Sequence, residues 1–108
     1  MNIPQVSVSD VADHAVLLDV REQDEWDAGH APGAVHIPLG DLPSRLHELP
    51  DTDAATLAIT CRGGGRSSRA VAWLSQQGFD VANLDGGMKA WHAAGKPLAA
   101  DSATPSVK

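Results

Sequence analysis

Apolar and polar positions along the chain fall into short runs that change period as they alternate. Residues 15–20, AVLLDV, form an almost unbroken apolar stretch of branched side chains, as expected of a parallel strand buried on both faces. Its one charge, Asp19, falls near the carboxyl end. AVHIP at 34–38 and TLAIT at 56–60 read in the same way, DVANL at 80–84 predicts a weaker fourth strand, and QVSV at 5–8 predicts an edge strand. Between them lie helical stretches. One covers 22–28 and stops at Gly29; a second covers 42–49 with Leu42, Leu46 and Leu49 on one face; a third covers 67–77 and stops at Gly78; a last covers 88–94 and stops at Gly95. In the third, Ala70, Val71 and Leu74 make an apolar stripe with Trp73 beside it. Strands alternating with helices of this length predict an α/β fold: a central parallel sheet of about four to five strands, right-handed crossovers and helices on both faces.

Length and composition bound this picture without changing it. A chain of 108 residues, 43% hydrophobic and 20% charged, is sized for one domain and argues against both disorder and a coiled coil. There is no internal repeat and no interior linker, so residues 1–100 read as one domain. The closing AADSATPSVK is small and polar, and residues 101–108 are expected to be a disordered tail. No run approaches the roughly eighteen apolar residues of a membrane helix, and MNIPQVSVSDVADH lacks the basic start and apolar middle of a signal peptide. The expectation is a cytoplasmic protein with no membrane partner.

Charge does change the picture. The net charge of −6 argues against nucleic acid as a partner. Its distribution is uneven: residues 1–60 carry eleven acids against two bases, whereas residues 61–108 carry six bases against three acids. Half of those six bases, Arg62, Arg66 and Arg69, cluster in TCRGGGRSSR at 60–69, around the only cysteine of the chain. Such a cationic spot suits a small anion better than a polymer.

A single cysteine excludes an internal disulfide framework and leaves an inert core thiol, a metal ligand or a reactive thiol. Its setting favours reactivity. Cys61 follows a buried strand and Ser67 begins a helix, so CRGGGR is a strand-to-helix turn at the carboxyl edge of a parallel sheet, where ligands bind in such folds. Gly63, Gly64 and Gly65 allow positive φ and close backbone approach, so their N–H groups can converge as an anion nest, with the helix N-terminus adding partial positive charge. A core cysteine has no use for an anion cradle; a thiolate has, and helix N-termini and neighbouring cations bring cysteine to about 3.5–7.5 from about 8.5. The loop is not a nucleotide-binding P-loop, because GGGRSS lacks the lysine and the glycine spacing. Cysteine phosphatases hold five residues between cysteine and arginine; here four separate Cys61 from Arg66. That leaves phosphate or arsenate chemistry as a weaker alternative.

Taken together, the chain resembles a single-domain rhodanese, a sulfurtransferase family. The resemblance runs from about Val6 to Leu98. LLDVREQDEW and GHAPGAVHIP resemble the two N-terminal motifs, with Trp26 where tyrosine or phenylalanine is more usual. CRGGGRSSRA resembles the six-residue active-site loop, and GFDVANLDGGMKAW the C-terminal motif. The resemblance implies that Cys61 attacks the outer sulfur of a donor such as thiosulfate, releases sulfite and carries a persulfide until a thiol or cyanide acceptor removes it. It implies that backbone N–H groups of Gly63, Gly64, Gly65 and Arg66, with Ser67 behind them, stabilise the persulfide anion. Arg62 would attract the donor's anionic end, and Arg66 would assist it or brace the loop. No metal or organic cofactor is implied. A sulfur relay or regulatory binding module of the same fold, docking an acceptor protein, is the alternative from another class.

Other features carry weaker expectations. Asp19 and Arg21 at the same sheet edge support the site, most simply as a buried structural ion pair shaping the neighbouring loop. His30 and His36 lack partners at metal-ligand spacing. Gly86 and Gly87 are read as letting the chain pass close to the active loop or turn tightly. Trp91 is read as core, and Asp24, Glu25 and Asp27 as a solvated helix face. Arg69 opposes the helix dipole in the first turn, which leaves anion recruitment and surface decoration both open.

Overall fold

In the computed structural model, which describes residues 3–52, 55–100 and 104–108, five strands form one sheet in the order β1-β5-β4-β2-β3. They are β1 (Gln5–Val6), β2 (Leu17–Asp19), β3 (Ala34–His36), β4 (Leu57–Thr60) and β5 (Val81–Leu84), and every pairing is parallel. Two helices connect strands, α1 (Gln23–Ala28) between β2 and β3 and α2 (Gly65–Gln76) between β4 and β5, and α3 (Gly87–Ala93) follows β5. The α/β architecture expected from the alternation is present, with β1 at an edge as its short, partly polar run suggested.

Alternation along the strands splits the core in two. Leu18, Ile59 and Val81 face one side with Ala70, Val71 and Leu74 of α2, while Leu17, Ala58 and Leu84 face the other with Met88 and Trp91 of α3. Helices therefore cover both faces, which is why the strands read as apolar runs. Trp91 is fully buried, with its indole N–H donating to the Pro97 carbonyl at 2.8 Å. No helix of the described residues is long and apolar enough to cross a membrane.

One region departs from the sequence reading. The helix expected over 42–49 is a pair of 3₁₀ turns, Leu39–Ser44 and Leu46–Glu48. Pro43 lies inside the first; without an N–H it cannot continue an α-helical ladder, and the leucine spacing alone could not overcome that. Leu42, Leu46 and Leu49 still pack on the α2 side of the core. Of the tail expected to be disordered, residues 101–103 lie outside the described residues. Residues 104–108 run beside α1, where the Ser106 amide donates to the Ala28 carbonyl at 2.9 Å and Val107 packs on the α3 side of the core.

Register positions the site. Asp19 pairs with Thr60 and with His36, and Ile59 pairs with Asn83. The chain segments leaving β2, β3, β4 and β5 therefore emerge together at the carboxyl edge, with Cys61 beside the central strands.

Candidate active site

The turn after β4 wraps around Cys61, which is 1% exposed while Arg62, Gly63 and Gly65 around it are exposed. Gly64 adopts φ +113°, a left-handed conformation open chiefly to glycine, and so turns its amide back on the sulfur. Its N–H donates to Sγ at 3.1 Å, and the Ser67 N–H, in the first turn of α2, donates at 3.4 Å. The Ser67 hydroxyl lies 3.2 Å from the same sulfur. The hydrogen bonds to Sγ thus come from Gly64 and Ser67 rather than from Gly63 and Gly65. Burial pushes the thiol up, but the Ser67 hydroxyl and the amides of Ser67, Gly64 and Arg66 outweigh it, so its pKa is lowered overall.

A second helix holds the loop from behind. The amides of Met88 and Lys89, in the first turn of α3, donate to the carbonyls of Cys61 and Arg62 at 2.8 and 3.0 Å. Helix N-termini leave such donors without intrahelical partners, and the active loop supplies them. The approach is close enough that a Cβ on Gly87 would lie 2.5 Å from the Cys61 carbonyl oxygen, at a φ of +59°. The close passage expected at the glycine pair is thus located at Gly87.

The three arginines separate by role. Arg66 forks onto Glu25 of α1, Nη1 and Nη2 donating to the two carboxylate oxygens at 2.6 and 2.8 Å. The hydrogen bond from Arg66, opposed by burial, holds the Glu25 carboxyl below the usual carboxylate range. Glu25, expected on a solvated face, instead has a side chain only 13% exposed; a partner 41 residues away is invisible to helical periodicity. Asp24 beside it pairs with Lys108 at 2.7 Å, and the exposed Arg62 donates through Nε to the Lys108 carbonyl at 3.0 Å. Arg69 is exposed on α2, beside a groove of about 240 Å³ lined by Leu39, Leu42, Pro43, Ala70 and Trp73.

Asp19 and Arg21 form a fully buried pair. Arg21 Nε and Nη2 donate to the Asp19 carboxylate at 2.7–3.0 Å, and Nη2 also reaches the Gly29 carbonyl at 2.8 Å. This ties the end of β2 to the end of α1. His30 and His36 both stack on the Trp26 ring, at ring centroid distances of 3.6 and 4.8 Å. His36 Nε2 bonds the Arg21 carbonyl at 2.7 Å.

One residue at the site escaped the sequence reading. Asn83, 3% exposed in β5, accepts a hydrogen bond from the Ser67 hydroxyl and donates through Nδ2 to Gln5 Oε1 at 2.8 Å. A polar side chain in the middle of an apolar parallel strand was the available signal, since such a group requires a buried partner.

The rhodanese-like domain profile matches residues 7–94. The chain is 44% identical over 81 residues to a Bacillus subtilis protein named "Putative sulfurtransferase YtwF", covering 75% of this chain and 77% of that one. It is 38% identical over 97 residues to "Putative sulfur carrier protein YrkF" of the same organism, covering 83% of this chain and 51% of that one. Among solved structures, a crystal structure of a rhodanese-related protein from Thermoplasma volcanium superposes with a TM-score of 0.78 at 28% identity, covering 89% of this chain and 97% of that one.

Proposed function

The chain belongs to the rhodanese-like family of sulfurtransferases, and from that premise we propose that it moves a sulfane sulfur from a small anionic donor such as thiosulfate to a thiol or cyanide acceptor, through a persulfide on Cys61. The observation that carries this reading is the convergence of the Gly64 amide, the Ser67 amide and the Ser67 hydroxyl on one buried sulfur, at 3.1, 3.4 and 3.2 Å. The two amides are aimed at the sulfur before it is charged, the preorganised arrangement that stabilises a developing anion, and the Ser67 hydroxyl lies within reach to join them.

The Cys61 thiolate attacks the outer sulfur of the donor. A new S–S bond forms, the old one breaks, and sulfite leaves with the bonding pair. The negative charge now rests on the outer persulfide sulfur, at the mouth of the loop where Gly63 and Gly65 are exposed. Cyanide or a thiolate then attacks that outer sulfur and restores the Cys61 thiolate, completing a ping-pong cycle. Electrons and charge balance without a metal or an organic cofactor. Arg62 recruits the donor, and Arg66 braces the loop through Glu25. The buried Asp19–Arg21 pair shapes the sheet edge beneath it.

The likeness to a sulfur carrier protein supports a second reading, in which the same persulfide is relayed to an acceptor protein and turns over slowly with small molecules. Phosphate or arsenate chemistry is less well supported, because the arginine that would clasp a tetrahedral oxyanion is engaged by Glu25. Intact-protein mass spectrometry after incubation with thiosulfate tests the proposal. Gain of one sulfur atom at Cys61, lost on adding cyanide and absent in Cys61→Ser, is the expected result. No gain on a thiol that still alkylates normally overturns it. Thiocyanate production at steady state then separates a fast enzyme from a slow relay.

A further inference from the structure

The Ser67 hydroxyl is fully buried and has three acceptors around it: Cys61 Sγ at 3.2 Å, the Gly64 carbonyl at 3.2 Å and Asn83 Oδ1. It has one hydrogen to give. When Cys61 is a thiol, its S–H can donate to the Ser67 oxygen while the Ser67 hydrogen goes to Asn83. When Cys61 is a thiolate, the sulfur can only accept, so the Ser67 hydrogen must turn towards it and Asn83 Oδ1 loses its donor. The amide is oriented with Nδ2 donating to Gln5 Oε1 at 2.8 Å, which leaves Oδ1 as the end that faces Ser67. Gln5 is the register partner of Asn83 in the adjacent parallel strand, so the edge strand places a carbonyl oxygen where it accepts from the Asn83 amide. At 3% exposure Asn83 has little access to solvent for a replacement partner.

We propose that Asn83 is a positioning residue that restrains ionisation of Cys61 by competing with the sulfur for the Ser67 hydroxyl hydrogen, and that Gln5 holds it in the orientation that does so. The sulfur's proton leaves to solvent on ionisation; the Ser67 hydrogen only rotates. Resting on the sulfurtransfer reading is one consequence: once charge moves to the outer persulfide sulfur, the inner sulfur is neutral and Ser67 returns to Asn83, so the relay favours the loaded state over the bare thiolate. The charges around the thiol are Arg62, Arg66 with its partner Glu25, and the neutralised Asp19–Arg21 pair at the end of β2. None of them is altered in the test.

Cys61 is the only cysteine, so the pH dependence of its alkylation rate reads its pKa directly and needs no sulfur donor. Asn83→Leu is expected to lower that pKa by about half to one unit, giving roughly three- to tenfold more thiolate at pH values below it. Asn83→Asp, which accepts more strongly and adds negative charge, is expected to raise it. In a Ser67→Ala background Asn83→Leu should produce no shift. Gln5→Leu, at an exposed position, frees the Asn83 amide to rotate and should lower the pKa by a smaller amount, which keeps the test decisive if Asn83→Leu fails to fold. An unchanged or raised pKa in Asn83→Leu or Gln5→Leu, or an equal shift without the Ser67 hydroxyl, overturns the proposal. Failure to form a persulfide with a normal titration pattern would instead overturn the sulfurtransfer reading.

Discussion

Arg66, in the first turn of α2, grips both carboxylate oxygens of Glu25 on α1, at 2.6 and 2.8 Å. The last residue of the cysteine loop is thereby joined to a helix that precedes it by two strands, β3 and β4, and two 3₁₀ turns. A bidentate fork fixes orientation as well as distance, which a single lysine contact would not.

Because of that fork, Glu25→Gln should loosen the loop. The pair is partly exposed, so the expected loss is about 1 kcal/mol, seen as a fall in Tm of about 4–8 °C at neutral pH. The Glu25 pKa is lowered in the folded state, so its contribution is present above the ordinary carboxylate pKa of about 4.3 and lost as pH falls through the lowered value. Thermal melts should show the gap between the two proteins closing below about pH 4. A gap that does not narrow at all as pH falls below that value would contradict the assignment.

The arginines should separate kinetically. Arg62→Ala is expected to raise KM for thiosulfate about three- to tenfold with kcat little changed, and the difference should shrink with added salt, as for an exposed recruiting charge. Arg66→Ala should instead lower both kcat and Tm. If Arg62→Ala left KM unchanged and Arg69→Ala raised it, recruitment would belong to the α2 surface.

Gly87→Ala should be among the more damaging single-methyl changes in the chain. The new Cβ would meet the Cys61 and Arg62 carbonyl oxygens at 2.5 and 2.7 Å, at a φ of +59°. A loss of about 2 kcal/mol or more is expected from backbone strain alone, with a matching loss of sulfur transfer as the loop is pushed away. Gly63→Ala, whose Cβ would meet nothing within 4 Å, is the control and should be close to neutral in a urea titration.

Breaking the buried Asp19–Arg21 pair should cost far more than breaking the Glu25–Arg66 fork. Both side chains are fully buried, so Asp19→Asn or Arg21→Met strands a partner away from water, at an expected cost of about 3–5 kcal/mol. Denaturant unfolding reads this directly. A loss under about 1 kcal/mol would mean that water enters and rescues the orphaned group.

Much of this architecture is legible in the sequence. Runs such as AVLLDV and TLAIT are apolar on both faces because the sheet is covered on both faces, and the glycines between Cys61 and Arg66 declare a turn shaped around the sulfur. Local chemistry also set one outcome against the reading: Pro43 converted an expected helix into 3₁₀ turns, a weight that leucine periodicity had hidden. Asn83 stood in plain view inside an apolar strand, yet its partner could not be named.

The order and kind of the elements, the parallel sheet and the placement of one thiol at its carboxyl edge are written in the chain, because these follow from local periodicity, turn residues and connection handedness. Which groups meet there is set by long-range packing. Glu25 with Arg66, Gln5 with Asn83 with Ser67, and the α3 amides with the carbonyls of Cys61 and Arg62 are joined by register and helix packing across up to 78 residues of chain. Contacts of that kind leave no local period, since their partners are chosen by the closing of the sheet rather than by their neighbours in sequence.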